Sequence, residues 1–212
     1  MFRKNISQTE IKSALDDFRK GKFLIVVDDK CRENEGDLVI AANKATPENI
    51  NFMIKRGRGL VCVPMLGKRL DELKIPLMID GKAGKNTEFT KCAFTISVDA
   101  KKGTTSGISA FDRAKTIEAL IGNDTKPQDL AMPGHIFPLR CDEQGLKGRQ
   151  GHTEASMELA RLAGVYPAAV ICEVIDGSGK MARMPELKRF AKRFGIKIVT
   201  IRDLIDYSTL SG

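Results

Sequence analysis

Between Phe23 and Asn43 the chain reads FLIVVDDKCRENEGDLVIAAN, two short apolar runs joined by an intensely acidic connection. Residues 23–27 are apolar and rich in β-branched side chains, as a buried strand requires, and residues 38–40 repeat the pattern. Asp28, Asp29, Glu33, Glu35 and Asp37 place five carboxylates within ten residues, with Arg32 the clearest counter-charge. Such a group repels itself unless a cation or a substrate compensates it. A solvated acidic turn is one reading. The other is a hard-cation site with oxygen ligands, favoured because flanking strands would hold the carboxylates rigidly. Gly36 supplies backbone freedom where this chain must turn or be approached closely.

With 212 residues there is enough chain for a substantial core in one domain. No apolar run approaches the ~18 residues of a membrane span, and MFRKNISQTE at the N-terminus lacks an apolar signal region. A cytoplasmic location is expected. The five cysteines (Cys31, Cys62, Cys92, Cys141, Cys172) form no CxxC pair and cannot all pair within one chain, which suits reduced thiols. A net charge of +8 favours anionic partners. With no Trp, two Tyr and dispersed basic residues (densest at 188–193), the chain lacks the aromatic-interleaved basic stripe of a nucleic-acid module. A small phosphorylated substrate needs only a few of these charges.

Along the chain, Ser7-Gln8-Thr9-Glu10 forms a capping box for an amphipathic helix that Gly21 ends. Thr46-Pro47-Glu48 starts a second helix, and residues 60–64 read as a strand in which Cys62 is a buried small hydrophobe. Residues 66–91 look irregular, with a short helical piece near 68–74; 81–86 has the composition of a mobile loop, and 81–91 reads as a lid or a plain surface loop. Residues 94–98 alternate as a half-buried strand. The segment Gly103-Thr104-Thr105-Ser106-Gly107 offers hydroxyls and amides to an oxyanion, ahead of a helix with Asp112 at its third position. Both histidines follow. His135 lies in Met132-Pro133-Gly134-His135, a turn entering a strand, and His152 in Arg149-Gln150-Gly151-His152-Thr153 at a helix start. There a guanidinium, free helix amides, a hydroxyl and a metal-competent imidazole gather within five residues, as a phosphosugar–metal complex demands. Thr153 would cap the helix or bond phosphate. Glu173 interrupts the apolar strand 167–175, either buried and suited to proton transfer or facing the open side of a sheet. A helix opening at Pro185, a strand at 197–201 and a final helical turn complete the chain.

RENEGDLVIAAN resembles the signature of the 3,4-dihydroxy-2-butanone 4-phosphate synthases, and GISAFDRAKTIEAL, PGHIFPLR and RQGHTEASMELARLAG follow in the family's order across almost the whole chain. The resemblance implies an α/β (α+β type) fold, a three-layer α-β-α sandwich around a mixed sheet. It implies a single synthase domain over residues 1–212, without a following GTP cyclohydrolase II domain. The implied activity is conversion of D-ribulose 5-phosphate to L-3,4-dihydroxy-2-butanone 4-phosphate and formate, through enolisation, loss of water at C1, a skeleton shift and expulsion of C4. Mg²⁺ or Mn²⁺ is implied, two ions per active site, with Glu33 and His152 as ligands. Arg32, Glu33, Asp37, Thr105, Arg149, Gln150, Gly151, His152, Thr153 and Glu173 match substrate-binding positions; His135, Glu173 and Glu35 match catalytic ones. A homodimer with active sites at or near the interface is implied, with no nucleic-acid or membrane partner. The chain departs from the family at Lys30-Cys31, where members commonly stay acidic, at Met132, often basic, and at Ser106, usually Thr. A metal-dependent aldolase or isomerase of another phosphosugar would need the same residue types. An RNA-binding relative that had lost catalysis would have shed the acidic cluster or the histidines, and both are kept.

Overall fold

The computed structural model describes residues 7–79 and 84–211. In chain order the elements are α1 (Gln8–Arg19), β1 (Leu24–Val27), β2 (Gly36–Ala41), α2 (Pro47–Phe52), β3 (Cys62–Met65), α3 (Gly67–Glu72), β4 (Val98–Ala100), α4 (Ala110–Ile121), β5 (Leu130–Arg140), α5 (His152–Ala163), β6 (Ala169–Glu173), α6 (Met184–Phe194), β7 (Lys197–Thr200) and α7 (Ile201–Ser211). The strands form one sheet in the order β4-β5-β3-β6-β2-β1-β7. It is mixed: β1 pairs antiparallel with β2 and parallel with β7, β3 runs parallel to β5, and β6 runs antiparallel to β2.

The three layers follow from the period of two along buried strands. Leu24 and Val26 of β1 point to one core while Ile25 and Val27 point to the other, and β2 divides Val39 and Ala41 from Leu38 and Ile40 in the same way. The first core is closed by Ile11, Leu15 and Phe18 of α1, Ala155 and Leu159 of α5 and Leu204 of α7. The second is closed by Ile50 of α2, Leu70 of α3, Ile117 and Leu120 of α4 and Leu187 of α6. The expected α-β-α sandwich around a mixed sheet is therefore the observed one.

Several boundaries differ from the sequence reading. The strand expected at 94–98 is displaced to Val98–Ala100, and residues 94–95 make only single bridges, Phe94 to Leu139 and Thr95 to Leu77. This segment threads between two partners, so neither ladder extends. β5 begins before the expected turn, because Val98 pairs with Ile136 while Asp99 pairs with Ala131 and residues 132–135 bulge from the ladder. In the acidic connection the left-handed residue is Asn34 (φ 56), not Gly36. Gly36 is needed for space, since a Cβ there would stand 2.5 Å from Leu187 Cδ1 of α6. Of the expected loop, residues 81–83 lie outside the described residues. Residues 86–92 form a knitted turn in which Glu88 accepts hydrogen bonds from the backbone of Thr90 and Cys92 at 2.9 and 2.8 Å.

Two elements of the first core are tied by a carboxylate. Glu158 of α5 accepts from Arg161 at 2.7 and 2.8 Å and from the Ser208 hydroxyl of α7, and Arg161 chiefly holds its pKa below the ordinary glutamate value. A depressed folded-state pKa contributes stability that is present above the unfolded pKa and lost as pH falls through the folded one. Urea unfolding of Glu158→Gln is therefore expected to show the largest deficit against the parent above about pH 5, narrowing as pH falls below about 4. A deficit independent of pH would exclude a role for the charge.

Candidate active site

Side-chain alternation places the floor of one cleft before any loop is considered. On β6, Glu173 shares its face with Ile171; on β2, Asp37 shares its face with Val39; both faces turn toward α5. The antiparallel register sets Asp37 directly opposite Glu173, and Cys62 of β3 opposite Ile171. Two carboxylates facing each other across a ladder oppose pairing, so this arrangement serves something other than sheet stability. Around the floor stand Arg32, Glu33 and Glu35 from the β1–β2 connection, Glu88, Thr90 and Cys92 from the knitted turn, Phe94, Leu139, and Arg149, His152 and Thr153 at the start of α5. The cleft encloses about 180 Å³.

The connection is shaped by Asp28. Its buried carboxylate accepts from the backbone N–H groups of Glu33 and Glu35, each at 2.8 Å, and lies 3.3 Å from Arg32 Nη1. Arg183, leading into α6, donates to the carbonyls of Glu33 and Asn34 at 2.7 and 2.6 Å. The loop is thus clamped from both sides, and Glu33 Oε2 is carried to 3.2 Å from His152 Nδ1 and 2.9 Å from Arg32 Nη1. Ligand atoms of Asp28, Glu33 and His152 all lie within 4.8 Å of one another.

The electrostatics are those of an under-compensated acidic cleft. Burial, with Glu173, Glu33 and Glu35 nearby, pushes Asp37 up to about 7 despite the pull of His152. Burial alone would depress His152, but Asp37, the Glu33 hydrogen bond and Asp28 raise it to about 9. Glu33 is opposed by burial yet falls below its ordinary value because His152 and Arg32 stabilise its charge; burial raises Glu35, against Arg183. Three buried side-chain atoms lack a hydrogen-bond partner among the described residues: Asp37 Oδ1 and His152 Nε2 in the cleft, and Arg113 Nε outside it. Unpartnered buried polar atoms are costly and mark where a ligand is expected. A divalent cation fits this donor set: two hard carboxylates and an imidazole, with excess negative charge around them. Proton and cation are alternatives at His152, since a ring nitrogen that holds a proton cannot ligate.

The other anticipated residues divide into two groups. Arg32, Glu33, Glu35, Asp37, Arg149, His152, Thr153 and Glu173 all line the cleft, whereas Gln150 is exposed and does not. Gly151 is buried as the N-cap of α5, with Arg149 Nη1 and Glu154 Oε2 where a Cβ would go. Thr153 does not cap the helix; its hydroxyl lies 3.9 Å from Cys92 Sγ. Arg149 is braced by Glu154 Oε2 at 2.7 Å and by Thr90. Glu173 is half-buried, its Oε2 accepting from Leu60 N–H at 2.8 Å, so it is neither fully enclosed nor on an open face. His135 and Thr105 do not line the cleft. The amide and hydroxyl of Thr105 both donate to Asp112, at 3.0 and 2.9 Å. Glu88 and Thr90 fall in the 81–91 segment, which in sequence reads only as a lid or a plain surface loop, and Cys92 reads only as a reduced thiol; they carry no periodicity, and the fold brings them to the site.

Relatives decide the family. A model of the 3,4-dihydroxy-2-butanone 4-phosphate synthases matches residues 12–207. The chain belongs to that family. It is 53% identical over 198 residues to the 3,4-dihydroxy-2-butanone 4-phosphate synthase of Agrobacterium fabrum, covering 93% of this chain and 91% of the relative. It is also 53% identical over 204 residues to the riboflavin biosynthesis protein RibBA of Endomicrobium trichonymphae, of which it spans only 50%. A crystal structure of a 3,4-dihydroxy-2-butanone 4-phosphate synthase in complex with two magnesium ions superposes with a TM-score of 0.88 at 40% identity, over 93% of this chain and 95% of that one. A two-domain synthase from A. baumannii, RibBX, superposes with a TM-score of 0.87 at 48% identity, over 93% of this chain and 57% of that one. This family member is thus an enzyme of riboflavin biosynthesis.

Gly59 shows how tightly the floor is built. A Cβ there would stand 2.4 Å from Glu173 Oε2 and 2.7 Å from its backbone N and O. Gly59→Ala is expected to lower unfolding stability by about 1–3 kcal/mol in urea titrations, the cost of overpacking a backbone contact. Parent-like stability would show that the two segments separate freely.

Proposed function

We propose that this chain is a lyase converting D-ribulose 5-phosphate to L-3,4-dihydroxy-2-butanone 4-phosphate and formate, with Mg²⁺ or Mn²⁺. The observation that carries the reading is the approach of Glu33 and His152 to 3.2 Å in a cleft that also holds Arg149, Asp37 and Glu173. Glu33 and His152 would hold the cation, with Asp28 bracing the loop behind them. A second ion would draw on the remaining carboxylates and the substrate; the neighbouring synthase structure is in complex with two magnesium ions. A cation held in the cleft would supply charge stabilisation and acidify a carbon next to a bound carbonyl.

The chain's own groups do the rest. Arg149, with the first amides of α5, takes the phosphate; Gly151 lets the backbone approach closely and Thr153 adds a hydroxyl, with Gln150 at the outer edge. Arg32 fixes Glu33 and meets substrate oxygens. Asp37, with its unpartnered Oδ1 and raised pKa, accepts from a sugar hydroxyl. Glu35 and Glu173, which both line the cleft, would move protons.

The proposed dimer places His135 and Thr105 at the partner's cleft. Its support is the exposure of three large apolar side chains close in sequence to these residues, Ile108, Phe111 and Met132, none of which lines the cleft. Because the donors of Thr105 are engaged by Asp112, Thr105 would meet the sugar as an acceptor. One continuous sheet through the matched region supports a single-domain reading. No helix among the described residues is long and apolar enough to cross a membrane. Five free cysteines agree with a reducing, cytoplasmic compartment.

Formate release from ribulose 5-phosphate tests the reaction. It should require Mg²⁺ or Mn²⁺, stop with EDTA, and fall by at least ~10²-fold in Glu33→Ala and His152→Ala, the upper scale for changes outside a ligand shell. Full activity in these variants would overturn the ligand assignment; a metal-loaded parent releasing no formate would overturn the substrate.

Subunit sharing has its own test. Glu33→Ala and His135→Ala, co-expressed with different tags, should recover up to about a quarter of parental activity, because half the dimers are mixed and each carries one intact site. A purified mixed dimer without recovered activity would return both groups to one subunit.

A further inference from the structure

His135 stands in the bulge of β5, and its ring has a partner outside the cleft set. Asp99, across the ladder on β4, holds the residue twice: Oδ1 accepts from the His135 backbone N–H at 2.9 Å, and Oδ2 lies 2.7 Å from Nδ1. The surrounding chain is built to this pair. Gly134 donates to Ser97 Oγ at 3.1 Å and packs so closely that a Cβ would come 2.1 Å from the Val98 carbonyl carbon. Gly107, in the left-handed region at φ +88, closes over both side chains; a Cβ there would stand 2.0 Å from Asp99 Oδ2 and 2.5 Å from His135 Nδ1. The Asp99 side chain is 14% exposed and that of His135 41%, so the carboxylate is shielded while the ring reaches solvent.

We propose that Asp99 is the positioning residue of a His135–Asp99 pair, its carboxylate fixing the imidazole as the Nδ1–H tautomer and leaving Nε2 as the proton acceptor toward the phosphosugar. This rests on the reading of His135 as catalytic. An ionised carboxylate only accepts hydrogen bonds, so the hydrogen between Oδ2 and Nδ1 belongs to the ring, and the neutral ring then carries its lone pair at Nε2. A substrate hydroxyl or carbon acid gives its proton to Nε2 while the electron pair stays on the substrate. The imidazolium so formed lies against the negative charge of Asp99, and its proton later passes to product or solvent. The second hydrogen bond, from the backbone, prevents the carboxylate from rotating away.

Asp99→Asn keeps an oxygen for the backbone N–H but turns an amide N–H₂ toward Nδ1, which forces the ring hydrogen to Nε2. The chain has two histidines, so ring ¹⁵N correlation spectra are assigned by comparison with His135→Gln. The expected result is an Nδ1–H tautomer in the parent and an Nε2–H tautomer in Asp99→Asn. The kcat for formate release should fall by about 10²-fold or more, with KM changed by less than about threefold. Asp99→Glu, which restores the carboxylate, should return the Nδ1–H tautomer and part of kcat, and it carries the test if the Asn variant does not fold. An unchanged tautomer in Asp99→Asn, an Nε2–H ring in Asp99→Glu, or full kcat with a switched tautomer would each overturn the proposal. Full activity in His135→Gln would instead defeat the reading of His135 itself, whatever the tautomer.

Discussion

The pairing of the Glu33 carboxylate with the His152 imidazole is the contact on which the rest of the site depends. It joins a loop between two strands to the first residue of a helix on the opposite side of the cleft. Neither partner would be stable alone. Glu33 sits among Asp28, Glu35 and Asp37, and His152 is buried where a charged ring would be expelled but for those acids. The fold gathers negative charge where water is scarce and leaves its neutralisation to an imidazolium or a divalent cation. This excess of acid is a stability cost placed at a functional site.

What makes the cost tolerable is the rigidity of the surroundings. β2 and β6 are buried on both faces, so Asp37 and Glu173 cannot rotate away from one another by shifting the strands. Asp28 spends its carboxylate on two backbone amides of the acidic loop, and Arg183 spends its guanidinium on two carbonyls of the same loop. Arg149 is fixed by Glu154 and Thr90 in the same manner. The acidic loop and Arg149 thus each have residues behind them, as accurate placement of reacting groups requires.

Much of this was legible in the sequence, for identifiable reasons. The acidic connection stood out because five carboxylates within ten residues repel one another unless a cation or substrate compensates them. The helix-start signals at Ser7 and Thr46 marked true helix starts, since a side-chain oxygen bonding an amide three residues on is purely local. Unbroken apolar, β-branched runs marked β1 and β2. What escaped was non-local. Residues 94–98 alternate like a strand, but their partners lie on two different segments, so the ladder breaks. The Thr105 hydroxyl looked free for an anion, yet Asp112, placed to cap the next helix, takes it first. Glu88, Thr90 and Cys92 carry no periodic signal, and the pairing of Asp99 with His135 depends on a bulge that no spacing foretells.

The central claim is that Glu33 and His152 share one divalent ion, and it can be read without turnover. Mn²⁺ bound to the protein reports a directly ligated imidazole through ¹⁴N modulation of its electron spin echo. The account predicts that modulation in the parent and in His135→Ala, its loss in His152→Ala, and markedly weaker Mn²⁺ binding in Glu33→Ala. Imidazole modulation that persists in His152→Ala, or tight Mn²⁺ binding with none in the parent, would contradict it.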